Sequence, residues 1–235
     1  MPELVRVADV ASTMEAAHAL AQQGAAHGTA VVAERQSAGR GTRGRQWSAE
    51  AGGLWLSVVA RPTRTDALEA LSLRIGLVLT ALLERTFPSL PLISLKWPND
   101  LILDERKLAG ILCEARWAGS VCQWVVIGVG LNVTNPLEDS LTFGATRLAD
   151  WVANADAATL ASPCATAVAT AARAAGPLTS AELNAFAARD YLTGRRVSDP
   201  VAGTAEGITA AGALRVRTDS GPVREILGGV VTTPG

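Results

Sequence analysis

Residues 91–117 read PLISLKWPNDLILDERKLAGILCEARW, with three apolar runs separated by two polar breaks. The first break is Pro98-Asn99-Asp100, in which proline fixes its own φ and the two following side chains tolerate unusual backbone angles. The second break is a short charged stretch before Lys107. Short apolar runs bounded by turn residues are typical of strands. The stretch therefore predicts three consecutive strands joined by tight turns.

The flanking sequence alternates between helix and strand patterns. Ser12-Thr13-Met14-Glu15 matches a capping box, which predicts the start of a helix that ends near Gly24. Further strands are predicted at 28–34, 52–62 and 123–133, and further helices at 66–87 and 156–190, the last broken at Gly176-Pro177. Because hairpins dominate the middle of the chain, an α+β fold is favoured over a doubly wound sheet.

The texture of the sequence changes near residue 195. From there on, short β-like segments are separated by Gly, Asp and Pro. This pattern predicts a small all-β domain, and we place the division between residues 1–190 and residues 191–235.

The composition restricts the class of protein. The chain has 235 residues, 49% hydrophobic and 18% charged, with a formal net charge of -1. Its three cysteines form no CxxC pair, which argues against a zinc site and a disulfide framework and fits a reducing compartment. Charges interrupt every apolar stretch, and no signal-peptide pattern is visible at the start. We therefore expect a cytoplasmic protein that does not enter a membrane.

The most basic stretch lies at 35–48, RQSAGRGTRGRQWS. Its glycines allow close approach to a ligand, and its arginines could neutralise phosphate charge. We call residues 39–46 the arginine–glycine loop. On these residues alone, three interpretations stay open, namely a solvated surface loop, a nucleic-acid-binding arm, and a lid that closes on a small anion.

Three further patterns could carry chemistry. Only two lysines occur, Lys96 and Lys107, in a chain that otherwise uses arginine, so each is a candidate for a role that arginine cannot fill. Asn99 and Asp100 could bind a ligand or simply form a turn. Glycines 128 and 130 within a strand predict a close backbone neighbour, and Asn132 needs partners if it is buried.

Taken in this order, the motifs resemble those of biotin protein ligases. The resembling elements are STM at 12–14, ERQSAGRGTRGRQW at 34–47, KWPNDL at 96–101, RKLAGILCE at 106–114 and GVGLNV at 128–133. The segment 203–214 is similar to the SH3-like domain of that family. The resemblance implies a catalytic domain over 1–190, a mixed β-sheet flanked by helices as in class II aminoacyl-tRNA synthetases. It also implies a small SH3-like β-barrel over 191–235.

The resemblance also implies an activity. Such ligases join biotin to ATP, releasing pyrophosphate and forming biotinyl-5′-AMP, and transfer the biotin to a lysine of a carboxylase biotin carrier domain. Mg²⁺ accompanies ATP without a dedicated protein site. Because the motifs begin at residue 12, we expect no DNA-binding domain and no DNA partner. A homodimer is compatible with the family.

Site residues follow from the same resemblance, position by position. The biotin side comprises Ser12, Thr13, Met14, Gln36, Gly39, Arg40, Gly41, Thr42, Lys107 and Gly110. The nucleotide side comprises Arg43, Arg45, Trp47, Asn99 and Asn132. The catalytic group comprises Lys107, Arg40 and Asp100, with Asp100 near the incoming amine. This chain has Met14 where many members have Asn, and Thr42 where some have a further Arg.

Two alternatives compete with this interpretation. A lipoate or octanoate ligase would share the chemistry, but we associate the arginine–glycine loop and the KWPND motif with the biotin branch. A nucleic-acid-binding module would use the loop arginines instead, although a sequence pI of about 6.1 is low for that class.

Overall fold

The computed structural model describes residues 3–137, 144–229 and 231–232. In chain order, its elements are β1 (Leu4–Val10), α1 (Thr13–Gln22), β2 (Ala30–Gln36), β3 (Leu54–Ala60), α2 (Leu71–Thr86), β4 (Ser94–Lys96), β5 (Asp100–Leu103), β6 (Arg106–Ala118), β7 (Val121–Leu131), α3 (Ala157–Ala171), α4 (Ser180–Ala187), β8 (Arg196–Val197), β9 (Gly203–Ile208), β10 (Leu214–Thr218) and β11 (Val223–Ile226). Short 3₁₀ turns lie at Thr42–Gly44 and Leu148–Asp150.

The first part of the chain forms a seven-stranded sheet in the order β1-β2-β3-β7-β6-β5-β4. β1 and β2 run parallel and the other neighbours run antiparallel, so the sheet is mixed. The three strands predicted at 91–117 are β4, β5 and β6. Asp104 and Glu105 both have positive φ in the turn between β5 and β6, which is the geometry that a two-residue hairpin requires. The predicted α+β class is confirmed.

Helices cover both faces of this sheet, which explains why every residue of β3 is buried. On one face, Met14 and Ala17 of α1 pack with Val59 of β3. On the other face, α2 and α3 contribute residues such as Leu79 and Val168 to a core that also contains alternate residues of β3. The sheet is thereby held rigid at its centre, where the site lies.

The C-terminal strands form a separate antiparallel sheet in the order β11-β10-β9-β8. An indole N–H ties this sheet to the first, because Trp97 Nε1 donates to the carbonyl of Gly212 at 2.8 Å. Within the described residues the sheet pairs as four strands, and its closure into an SH3-like barrel stays a prediction. The division between residues 190 and 191 also stays a prediction.

Three local features differ from the predictions. The strand β1 was not predicted. The long helix begins at Leu71 rather than at residue 66. The capping box at residues 12–15 is wrong, because Ser12 occupies the N-cap position of α1 but its side chain makes no capping hydrogen bond. None of the described helices combines the length and apolar character that crossing a bilayer requires.

Candidate active site

A cavity opens over the middle of the large sheet, where glycines of β6 and β7 face each other. Gly110 pairs with Gly130 across the two strands. A Cβ at Gly130 would come within 2.7 Å of Trp47 Cε2, and one at Gly128 within 2.6 Å of Met14 Sδ. The nearest neighbours of glycines 128 and 130 are therefore side chains rather than the predicted backbone, although the Leu112 carbonyl oxygen also lies 3.6 Å from a Cβ at Gly128.

Many residues of the predicted site line this cavity together. From the predicted set these are Thr13, Met14, Gln36, Arg40, Gly41, Thr42, Arg45, Trp47, Asn99, Lys107 and Gly110. The structure adds lining residues that were not assigned to the site. Six of them lie within the quoted motifs, namely Gln46, Ile111, Leu112, Gly128, Val129 and Gly130, whereas Leu56 and Ser57 lie outside them. The signal for Ser57 was available, since it is the polar residue of an otherwise apolar strand.

One end of the cavity carries neutral hydrogen-bonding groups near the start of α1. Gln36 Oε1 accepts from the Thr13 backbone N–H at 2.7 Å and from Thr13 Oγ1 at 2.9 Å. Ser57 Oγ donates to Thr13 Oγ1 at 2.8 Å. Ser12 is fully buried, and its Oγ has no hydrogen-bond partner in the part of the chain that the structure describes. An unpartnered buried hydroxyl is costly unless a ligand satisfies it.

The other end is cationic. Lys107 Nζ lies 2.6 Å from Asp100 Oδ1 and 5.1 Å from the centre of the Trp47 ring. Lys96, which lies on β4 opposite Asp100 of β5, is only 6% exposed. Burial lowers the pKa of Lys96 to about 8, although the negative charge of Asp100 works in the opposite direction. The negative charge of Asp100 therefore acts on both lysines, and Lys107, Arg40 and Arg45 make this end of the cavity cationic.

The arginine–glycine loop forms a narrow turn above the cavity. The Gly41 N–H donates to the Arg45 carbonyl at 2.8 Å, and the Trp47 N–H to the Gly39 carbonyl at 2.9 Å. A Cβ at Gly39 would approach the Trp47 carbonyl oxygen to 2.3 Å, so that position requires glycine. Thr42 Oγ1 accepts from Arg45 Nη2 at 3.2 Å and thus helps to orient that arginine.

Five predicted site residues do not line the cavity itself, namely Ser12, Gly39, Arg43, Asp100 and Asn132. Ser12 and Asp100 adjoin it through their neighbours Thr13 and Asn99. Arg43 lines an outer cleft on the solvent side of the loop.

Two predicted site residues make contacts within the protein. Asn132 is buried, donates to the Thr146 carbonyl at 3.2 Å and accepts from Asn135 at 3.1 Å. With Trp47, Asn132 also lines a smaller cavity beside the main one. Asn99 lines the main cavity, and its Nδ2 donates to the Ile111 carbonyl at 2.7 Å, which ties the KWPND turn to β6.

Metal-binding side chains do not cluster at the site. Among the described residues, no group of three or more His, Cys, Asp or Glu is arranged to hold a metal ion. Cys113, Cys122 and Cys164 are free thiols. Burial raises the pKa of both Cys113 and Cys164 to about 12, so neither is a thiolate at neutral pH.

Comparison with known proteins gives the same family from sequence and from fold. The model of the biotin/lipoate A/B protein ligase family matches residues 7–132, and that of the biotin protein ligase C-terminal domain matches residues 193–232. The chain is 40% identical over 105 residues to a biotin–[acetyl-CoA-carboxylase] ligase of Paracoccus denitrificans, covering 44% of this chain and 43% of that protein. It is 35% identical over 150 residues to the bifunctional ligase/repressor BirA of Bacillus subtilis, covering 59% and 44%.

The chain thus spans less than half the length of these curated relatives. Several solved structures match over nearly the whole of both chains. One of them is the biotin protein ligase of Aquifex aeolicus in complex with biotin and ATP, with a TM-score of 0.83, 26% identity, and 99% of this chain and 98% of that chain covered. Since the first family model alone spans just over half of the sequence, the chain belongs to the biotin/lipoate A/B protein ligase family.

Proposed function

We propose that this chain joins biotin and ATP to give biotinyl-5′-AMP and pyrophosphate, and then transfers biotin to a lysine of a carboxylase biotin carrier domain. The observation that carries the proposal is the polarity of the cavity, which has neutral hydrogen-bonding groups at one end and lysine and arginine at the other. Biotin has the matching polarity, with a neutral ureido ring and an anionic tail. The activities named for the relatives support the same choice.

The neutral end would hold the ureido ring. The unpartnered hydroxyl of Ser12 would gain the hydrogen bond that it lacks within the described protein. Thr13 and Gln36 are fixed by their mutual hydrogen bonds and so present a prearranged surface. Met14 and Leu112 would pack against the apolar part of the ligand.

The cationic end would promote the adenylation step. A carboxylate that attacks the α-phosphate brings two anions together, so nearby cations lower the energy of the transition state. Lys107 and Arg40 are the groups we assign to this task. Gly39, Gly41, Thr42 and Gly110 would let the reacting atoms approach the backbone, because they carry small side chains or none.

The nucleotide would lie beside Trp47, under the arginine–glycine loop. Arg45 and Asn99 line the main cavity, Asn132 the smaller one, and Arg43 the outer cleft. Biotinyl-5′-AMP is a mixed anhydride that water would hydrolyse, so a loop that covers it protects the product until the acceptor lysine arrives.

Transfer requires a neutral amine on the acceptor lysine. We assign Asp100 to assist its deprotonation, since it is the carboxylate that pairs with Lys107 at the cationic end. The acceptor would reach this end of the cavity from the solvent side of the loop.

Magnesium would enter with the nucleotide. Mg²⁺ commonly binds through substrate phosphates and few protein ligands, so it would need no dedicated protein site. When bound, the ion would neutralise phosphate charge. Location in the cytoplasm, the absence of a DNA partner, and homodimer formation stay predictions.

The decisive experiment measures pyrophosphate release from ATP and Mg²⁺ with biotin, lipoate or octanoate, followed by transfer of label to a carboxylase carrier domain. We expect pyrophosphate release and carrier labelling with biotin, and neither with lipoate or octanoate. Release with lipoate or octanoate but not with biotin would favour the other branch of the family. Salt-sensitive binding to mixed oligonucleotides without pyrophosphate release would favour the nucleic-acid interpretation.

A further inference from the structure

A chain of hydrogen bonds beside the cavity uses three residues that have no role in the proposed chemistry. Arg40 Nη2 donates to Glu114 Oε1 at 2.7 Å. The other oxygen of Glu114 lies 3.2 Å from His18 Nε2, and Trp124 Nε1 donates to His18 Nδ1 at 2.9 Å. This series of hydrogen bonds therefore connects the arginine–glycine loop through β6 and α1 to β7.

The direction of each bond in this chain is determined by the indole. A tryptophan nitrogen can only donate, so His18 Nδ1 must accept, and the proton of a neutral ring resides on Nε2. Nε2–H then donates to Glu114. Burial lowers the pKa of His18 and so favours the neutral ring that this arrangement needs. Glu114 thus accepts from His18 at one carboxylate oxygen and from Arg40 at the other.

Glu114, His18 and Trp124 lie on two strands and a helix, whereas Arg40 lies on an exposed loop. Glu114 is on the same face of β6 as Gly110 and Leu112, which line the cavity. Its side chain is 18% exposed, against 37% for Arg40. Within the described residues Glu114 is the only side chain that hydrogen-bonds the guanidinium of Arg40, so the remaining N–H groups of that guanidinium are available to a ligand.

We infer that Glu114, held by His18 and Trp124, is a positioning residue that fixes the guanidinium of Arg40 at the mouth of the cavity. This inference rests on the proposed function, because it gives Arg40 a ligand anion to meet. A flexible arginine on a glycine-rich loop would otherwise have to be ordered at the moment of binding. Glu114 touches no substrate in this scheme and acts through Arg40 alone.

The first arm of the test needs no substrate. Glu114→Gln keeps the shape and removes the charge, so trypsin should cleave after Arg40 about five times faster in the free protein than in the wild type. Asp9→Asn is the matched control, because it removes the exposed Asp9–Arg35 pair, 2.8 Å long, from the neighbouring strands. An equal cleavage rate in Glu114→Gln and wild type would show that Glu114 does not hold Arg40.

The second arm is a double-mutant cycle on biotin-dependent pyrophosphate release. Glu114→Gln should lower kcat/KM for biotin about tenfold in the wild-type background and leave it unchanged in the Arg40→Ala background. Equal falls in both backgrounds would overturn the inference, because Glu114 would then act independently of Arg40. No release by the folded wild type would overturn the proposed function and remove the ligand anion that Arg40 is positioned to meet. The proteolysis arm still decides separately whether Glu114 restrains Arg40.

A second variant guards against loss of folding in Glu114→Gln. Trp124→Phe keeps an aromatic ring but removes the donor to His18 Nδ1. Trp124→Phe should raise the rate of trypsin cleavage after Arg40 about threefold and lower kcat/KM for biotin about threefold. A thermal melt confirms that each variant is folded, and no change in either readout with a folded Trp124→Phe would exclude the indole from the chain.

Discussion

Arg74 and the arginines of the arginine–glycine loop have opposite surroundings. Arg74 of α2 is 3% exposed. It pairs with Glu182 at 2.5 Å and donates to the carbonyl of Pro177 at 3.0 Å. The three arginines of the arginine–glycine loop are all exposed and make few contacts, the main ones being Arg40 with Glu114 and Arg45 with Thr42.

The difference separates arginines that stabilise the fold from arginines that await a ligand. The donors of Arg74 meet fixed protein acceptors, so its charge is compensated before any ligand arrives. The loop arginines retain unused donors beside a cavity that already has a positive end. Changes to the Arg74–Glu182 ion pair should therefore lower the free energy of unfolding, and changes at the cationic end of the cavity should lower activity.

The largest effect is expected at the cationic end. Lys107→Ala should lower biotin-dependent pyrophosphate release about 10²–10³-fold, because one cation that offsets the developing charge is lost. The free energy of unfolding should fall by only about 1 kcal/mol, since the Lys107–Asp100 pair is partly solvated. Arg106→Ala, at the preceding residue, is the control and should retain activity. A loss of stability large enough to explain the inactivity would make Lys107 a structural residue.

The second largest effect is expected at Arg74. Glu182→Ala should lower the free energy of unfolding by about 3 kcal/mol, because it leaves a buried guanidinium without its counter-charge. Pyrophosphate release should be unchanged at a temperature where the variant is folded. Asp219→Ala removes the exposed pair with Arg196 and should cost less than about 1 kcal/mol in urea unfolding. Equal losses in the two variants would contradict the structural role of Arg74.

The same pair predicts a dependence of stability on pH. The hydrogen bond from Arg74 lowers the pKa of Glu182 to about 2, from an ordinary value of 4.5. Because the folded-state pKa is the lower one, the stabilisation is complete above pH 4.5 and declines as pH falls towards 2. Between pH 6 and pH 3 the wild type should lose about 2 kcal/mol more than Glu182→Gln in urea unfolding. Parallel curves would show that the pKa is not depressed.

The fold could be predicted best where the sequence signals are local. The strands at 91–117 follow from apolar runs and from turn residues that lie next to them, so no distant contact had to be known. The strand β1 pairs in parallel with β2 across the whole of α1, and nothing in its short sequence specifies that partner. Ser12 shows the opposite failure, since a good local capping pattern forms no side-chain cap and leaves a buried hydroxyl without a hydrogen-bond partner among the described residues.

The residues of the candidate site also divide into those that local sequence signals predict and those that depend on the fold. Motif residues such as Arg40 on the arginine–glycine loop and Lys107 at the start of β6 could be chosen from the sequence. Leu56 could not, because a strand with both faces covered looks like core, and Ser57 was marked only by being the polar residue of that apolar strand. Their exposure to the cavity depends on the order of β3, β7 and β6 in the sheet and on the glycines that open it.

A smaller effect is expected where the loop meets the sheet. Gly130→Ala places a Cβ 2.7 Å from the Trp47 indole, so the ring must shift. We expect kcat/KM for ATP to fall about tenfold, because Trp47 adjoins the proposed nucleotide side. Gly228→Ala is the control, since a Cβ there meets nothing within 4 Å. An unchanged kcat/KM for ATP in a folded Gly130→Ala would remove Trp47 from the nucleotide site.

The smallest effect tests the exposed arginines directly. Trypsin should cut the free protein within residues 39–46, and biotin with Mg·ATP should slow that cut about fivefold, because the ligands supply the anions that these arginines lack. Arg173, an exposed arginine after α3 and far from the loop in sequence, provides the internal control. Equal protection at both places would indicate general stabilisation by ligand. No protection at either would mean that the loop arginines are solvated surface, and their contrast with Arg74 would then be one of exposure alone.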